Sequence, residues 1–144
     1  METSLRQALL SDGDEIARLS AQLDYPTSRD QVVANLNELL ADPNHGVLVV
    51  EGRRLELRGW IHVFKSHRIF AAPFAELGGV VVDKAERRRG VGANLMAAAE
   101  AWAVQEGCTT VRIRSNSKRQ DAHAFYGALG YRPSKSQLVF EKAL

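Results

Sequence analysis

Arg87-Arg88-Arg89-Gly90-Val91-Gly92-Ala93-Asn94-Leu95 is the stretch on which the reading of this sequence turns. Before it lies a strand-like apolar run, Phe74–Asp83. After it, Leu95, Ala98, Ala99, Trp102 and Ala103 recur at helical spacing until Gly107 stops the helix. A basic, glycine-containing turn thus joins a strand to a helix start. Unpaired N–H groups point out of a helix N-terminus, where the macrodipole is positive, and glycine lets backbone approach an anion closely. A phosphorylated ligand suits such a turn; a solvated basic loop is the plain alternative. A nucleotide-triphosphate loop needs Gly-Lys-Ser/Thr, and here Gly92-Ala93-Asn94 stands instead. A dinucleotide fingerprint needs a third glycine where Leu95 sits, and Arg112 and Arg114 occupy the region of its acidic ribose partner. An NADP-binding oxidoreductase therefore remains only as a remote alternative.

Working outward, Thr109–Ser115 alternates as a strand, Ser117 and Gln120 open a helix carrying Ala122, Phe125 and Leu129, and Gln137–Lys142 reads as a last strand. Upstream, Phe74–Asp83 is interrupted by Gly78-Gly79, a pair that inside a strand signals a bulge or a close approach. Leu57–Lys65 sets Trp60, His62 and Phe64 against Ile61 and Val63, and Val47–Glu51 is a strand before a Gly52-Arg53-Arg54 turn. Two helices precede these, with capping-box spacing at Asp12/Glu15 and Ser28/Gln31, after a short strand at Leu5–Ala8. The order β-α-α-β-β-β-α-β-α-β describes an α/β fold with a mixed sheet, antiparallel in the middle and crossing over in parallel near Val82–Ile113.

The 144 residues, without repeat or linker, suit one domain spanning 1–144. A net charge of +2 excludes a generally basic nucleic-acid binder. The single Cys108 allows neither an intrachain disulfide nor a cysteine-rich metal site, and the four histidines lack paired ligand spacing, so no metal is expected. No apolar stretch is long enough for a membrane span and no leader pattern opens the chain, so the expectation is a cytoplasmic protein without membrane or nucleic-acid partners.

Arg87-x-x-Gly90-x-Gly92 resembles the acyl-CoA pyrophosphate loop of the GCN5-related N-acetyltransferase (GNAT) superfamily. Ser115-Asn116, Arg119, Ala122-His123, Phe125-Tyr126 and Leu129-Gly130-Tyr131 resemble its following strand–helix segment. The resemblance covers Val47 to the C-terminus and implies an acetyl-CoA-dependent N-acetyltransferase that transfers an acetyl group directly to a primary amine, that of a small molecule rather than of a protein tail. The cofactor residues it implies begin with Arg87, Arg88, Arg89, Gly90, Val91, Gly92 and Ala93 for the pyrophosphate. Val80, Val81 and Val82 would pair with the pantetheine arm, Asn116 would hydrogen-bond it, Arg119 would meet the adenosine phosphate, and Phe125 and Tyr126 would line the arm. Tyr126 takes the position of the acid that protonates the thiolate, and Glu76, just before the suspected bulge, that of the base. The acceptor cleft would use Asp24, Tyr25, Trp60, Phe70 and Glu76. A homodimer involving Gln137–Lys142 is also consistent with the resemblance. A non-catalytic acyl-CoA-binding module is the second alternative.

Overall fold

The structure, a computed structural model, describes residues 4–23, 25–115 and 119–144. Its central element is β3 (Leu57–Arg68), whose neighbours are β2 (His45–Glu51) and β4 (Ala71–Val82). With β1 (Ser4–Gln7) and β5 (Val111–Arg112) they form one sheet in the order β1-β2-β3-β4-β5. The first three pairings are antiparallel and β4–β5 is parallel, as the crossover through α3 (Val91–Gln105) requires. The chain divides into two units, Met1–Ile113, which holds the sheet, and Arg114–Leu144, which holds α4 (Gln120–Ala128).

Alternation along β3 sorts its residues between two faces. Ile61 and Val63 are fully buried on the face that α3 covers. Gly46 and Gly59 lie on that face, against the Trp102 ring and the Leu95 side chain respectively, and a Cβ at either would stand within 3 Å of them. Leu95, Met96, Ala99 and Ala103 supply the helix side of this packing. On the other face α1 (Gly13–Ala21) and α2 (Arg29–Ala41) set Ile16, Leu19, Val32 and Leu36 over Val47, Val49 and Val81, with Trp60 partly buried at the margin. Each such aliphatic side chain removed from water stabilises by about 1.5–3 kcal/mol.

Polar contacts anchor α1 at the end of β4. Glu15 accepts from the Leu57 amide at 2.8 Å and from Arg18, whose guanidinium also meets Asp83 at 3.1 Å. Gln22 donates to Asp83 and accepts from the Lys84 amide. The arginine hydrogen bonds hold the Glu15 carboxyl below its ordinary range. The chain is therefore fixed at Asp83, where β4 ends and the glycine turn approaches.

Four expectations are corrected. The Asp12/Glu15 capping box does not form: Asp12 instead accepts from the Leu9 amide and pairs in bidentate fashion with Arg6, at 2.8 and 2.9 Å, while Glu15 reaches β3. Burial raises the Asp12 pKa, but Arg6 and the amide outweigh it and leave the carboxyl below its usual value. At α2 half of the expected box is present, Ser28 accepting from the Gln31 amide while the Gln31 side chain turns to Asn35. The hairpin strands run further than their apolar alternation, to Arg68 and from Ala71, because register pairing continues through Ser66↔Phe74 and Arg68↔Ala71. Gln137–Lys142 forms no strand; residues 131–144 carry no helix or strand, and Leu138, Val139 and Phe140 are exposed.

Candidate active site

The glycine pair of β4 produces the bulge that its sequence signals. Gly79 pairs with His62 and Leu77 with Val63, so Gly78 is the extra residue. A Cβ on Gly78 would stand 2.2 Å from His62 Nδ1, so the imidazole occupies the space that any side chain there would need. Two residues earlier Glu76 pairs in register with Phe64 on β3 and Arg112 on β5.

Glu76 is buried, with only 6% of its surface exposed, although it is charged. Arg68, from the same β3–β4 hairpin, donates to its Oε1 at 2.9 Å. The guanidinium groups of Arg68 and Arg112 stand over the Phe74 ring, at 5.7 and 4.2 Å from its centre. A buried carboxylate and two arginines thus share one patch of the sheet, suited to a ligand that carries both an ammonium and an acidic group.

The β4–β5 ladder consists of Ala75↔Val111 and Glu76↔Arg112 and goes no further. Among the described residues nothing pairs with the β5 side of β4 from Leu77 to Val82, while its other side stays bonded to β3 through Val80, Val81 and Val82. Val81 is buried in the core; Val80 and Val82 are half-buried. An open main-chain edge fits an extended, amide-bearing ligand. Beyond it Arg88 and Gly90 both adopt left-handed conformations, φ 66° and 82°, and bend the chain into α3. Among the described residues no side chain caps this helix and no acidic residue occupies its first turn, so its amide end is open to an anion. Arg87, Arg88, Arg89 and Gly90 are exposed; Arg89 leans toward Glu86, 3.7 Å away, while Val91 turns into the core and Gly92 and Ala93 are half-buried in the first helical turn.

Sequence reasoning passed over a second polar group. His45 Nδ1 and His62 Nε2 lie 2.9 Å apart across β2 and β3; the two rings stack, and Phe64 stacks on His45 and lies tilted against His62. His45 Nε2 in turn faces Asp42 Oδ2 at 3.7 Å. Burial first, and the neighbouring His45 second, push the His62 pKa down to about 4. The signal was the parity of β3: Trp60, His62 and Phe64 share a face with the register partner of Glu76.

Of the other expected acceptor residues, Trp60 lies on this face, Tyr25 is exposed in the α1–α2 connection, and Phe70 is exposed at the hairpin tip rather than beside mid-strand Glu76. Asp24 and Asn116 lie outside the described residues. Cys108 is buried and free. The second unit, taken by itself, carries Arg119 at the start of α4 and a half-buried Tyr126, whose ring meets Phe125 and Tyr131 edge-on. Its carbonyl also accepts from the Tyr131 amide.

The acetyltransferase (GNAT) family profile matches residues 11–131, and the chain belongs to that family. The aminoalkylphosphonate N-acetyltransferase of Salmonella typhimurium is 35% identical to it, over 97% of this chain and 90% of that relative. An aminoglycoside N(6′)-acetyltransferase type 1 of Serratia marcescens is 25% identical, over 77% of this chain and 79% of its own length. The structure of AAC(6′)-Iy in complex with a bisubstrate analogue, CoA-S-monomethyl-acetylneamine, shares the fold over all of both chains, with a TM-score of 0.88 and 20% identity. The protein is an acetyl-CoA-dependent N-acetyltransferase.

Proposed function

We propose that the chain, as one acetyltransferase domain over residues 1–144, acetylates the primary amine of a small zwitterionic molecule of the aminoalkylphosphonate kind. The observation that carries this reading is the buried Glu76 beside Arg68 and Arg112, a pairing of charges that matches an ammonium and a phosphonate on one short skeleton. The 35% identity to an aminoalkylphosphonate N-acetyltransferase supports it. An aminoglycoside, polycationic and without an acid, would leave both arginines facing positive charge.

Coenzyme A, when bound, supplies the acetyl group as a thioester. The open edge of β4 at Val80–Val82 is our site for its pantetheine arm, with Asn116 as a further hydrogen-bonding group. The Arg87–Ala93 turn is our site for its diphosphate, with Arg119 toward the adenosine phosphate and Phe125 along the arm. Glu76 orients the ammonium and draws off its proton, directly or through water, so that a neutral amine attacks. Amides freed by the bulge are placed to stabilise the carbonyl oxygen as it gains charge. Tyr126 is the acid for the departing thiolate: its ordinary pKa, near 10, lies close enough to that of a thiol, about 8.5, for transfer at little cost. Trp60 and Tyr25 would wall the acceptor. The single buried thiol of Cys108 fits the cytoplasm.

Thiol release from acetyl-CoA, measured with 1-aminoalkylphosphonates, aminoglycosides, amino acids and lysine peptides, tests the reading. Turnover with aminophosphonates above the others is expected. Activity confined to aminoglycosides or peptides overturns the acceptor assignment. Tyr126→Phe should lower kcat by roughly 10- to 100-fold and leave the CoA-induced rise in melting temperature intact; unchanged kcat removes Tyr126 from the acid role.

A further inference from the structure

The bulge at Gly78 meets a continuous line of polar atoms that leads out of the molecule. His62 Nδ1 borders Gly78, which is itself exposed. His62 Nε2 is 2.9 Å from His45 Nδ1, and His45 Nε2 is 3.7 Å from the carboxylate of Asp42, which is about half-exposed at the end of α2. The His45 amide also donates to the Asp42 carbonyl at 3.1 Å, which fixes the two residues together. Phe64 stacks on the His45 ring and lies tilted against that of His62. We propose that His62, His45 and Asp42 form a proton exit path that carries the acceptor amine's proton from the β4 bulge to solvent. This rests on the acetyl-transfer reading and adds to it the route by which the reaction sheds its proton.

The chemistry balances without a charged intermediate. At rest both rings carry hydrogen on Nε2: His62 donates to His45 Nδ1, and His45 points its N–H at Asp42. The proton lost by the amine, handed on by Glu76 or water, bonds to His62 Nδ1 as the His62 Nε2–H bond breaks. The released Nε2 proton bonds to His45 Nδ1, and the His45 Nε2 proton crosses the 3.7 Å to Asp42 through a bridging water and then reaches bulk water. Once the product has left, water protonates His45 Nε2 as the His45 Nδ1 proton returns to His62 Nε2 and the His62 Nδ1 proton leaves to solvent at exposed Gly78, restoring both tautomers. One proton reaches bulk solvent per turnover. Burial makes His62 a poor resting place for positive charge, about 4 being its pKa, so a relay in which each ring gains one proton as it loses another suits this site better than a simple base. The titratable and charged groups facing the path are His45 and Asp42 from the β2 side and Glu76 with Arg68 along β4. Asp42 faces His45 and Arg68 faces Glu76, while Leu39 and Leu40 of α2 pack against the apolar core.

The test combines one ligand-free and one kinetic measurement. In nitrogen-15 NMR of the free protein, His62 should be the neutral Nε2–H tautomer at pH 7, with that hydrogen aimed at His45 Nδ1. A Nδ1–H or cationic His62 overturns the path without any substrate. In the acetyl-transfer assay His62→Gln, which keeps a group near Nε2 and lacks Nδ1, should lose roughly 100-fold in kcat, within the range of acid–base catalysis. His45→Asn, which keeps an acceptor near Nδ1 and cannot pass the proton on, should lose about tenfold with KM unchanged, and its activity should climb with pH where wild type is flat. Added imidazole should restore part of the activity of His45→Ala. Wild-type kcat and pH profile in His45→Asn sink the path and leave acetyl transfer standing. Absence of amine-dependent thiol release by wild type with every acceptor removes both. Unchanged melting temperatures and CoA-induced shifts in the variants separate loss of transfer from loss of folding.

Discussion

The two faces of β3 differ more than any two elements of the chain. Toward α3 the strand presents Ile61 and Val63, aliphatic and fully buried. Toward α1 and α2 it presents Trp60, His62 and Phe64, ring-bearing and half-buried, with His45 and Glu76 from the neighbouring strands. One face is held by area removed from water. The other keeps polar atoms at a partly open surface, where burial costs free energy unless each atom has a partner. A single strand of alternating residues can therefore separate stability from chemistry, and substitutions on the two faces should fail in different assays.

The largest effect should come from the aliphatic side. Leu95→Ala leaves a cavity beneath β3 and should cost about 3–4 kcal/mol in denaturant unfolding, with kcat per folded molecule unchanged. A proportionate fall in kcat would show that the faces are coupled. Next comes the pH dependence of stability. His62 takes its proton near 6.5 when unfolded and near 4 in the fold, so between those values the unfolded chain binds the extra proton. Stability should be fully present above 6.5 and fall by roughly 3 kcal/mol as pH drops through that window. His62→Phe, which keeps a ring against Gly78, should flatten the fall; an equally steep fall in the variant would place its cause elsewhere. Glu76→Gln belongs wholly to the polar side: kcat should drop about 100-fold, near 2.7 kcal/mol in barrier height, while unfolding shifts little because exposed Arg68 can turn to water. Gly90→Ala is the mildest. Among the described residues, chain neighbours aside, no atom lies within 4 Å of its Cβ position, so the cost is the left-handed φ of 82°, about 1 kcal/mol in stability. A loss of CoA affinity, read by calorimetry, would accompany it.

The residues that sequence could place are those whose local chemistry allows one answer. Glycine at 90 marks a left-handed turn into a helix, and the pair at 78–79 marks an extra residue in a ladder. The histidine pair was out of reach because its members stand 17 positions apart and meet only through antiparallel register. No metal-type spacing flags such a contact. The burial of Glu76 follows from pairing on both sides, by Phe64 and Arg112, which depends on three strands at once. The Asp12/Glu15 pattern gave the right helix and the wrong partners, since Arg6 and the Leu57 amide outbid the helix's own amides. Alternation at Gln137–Lys142 suggested a strand, yet alternation alone supplies no neighbour to bond with.

The short β4–β5 ladder has a consequence for how this protein can change. A ligand held by peptide groups along Leu77–Val82 would be indifferent to which side chains those positions carry. Drift there would be nearly silent, the buried Val81 excepted, and ordinary substitutions would offer no easy route to refusing the cofactor. Proline is the substitution that removes a backbone donor. The groups proposed for the acceptor, Glu76, Arg68 and Arg112, act through side chains, and one codon change alters each. A lineage with this architecture would keep its donor and exchange its acceptors.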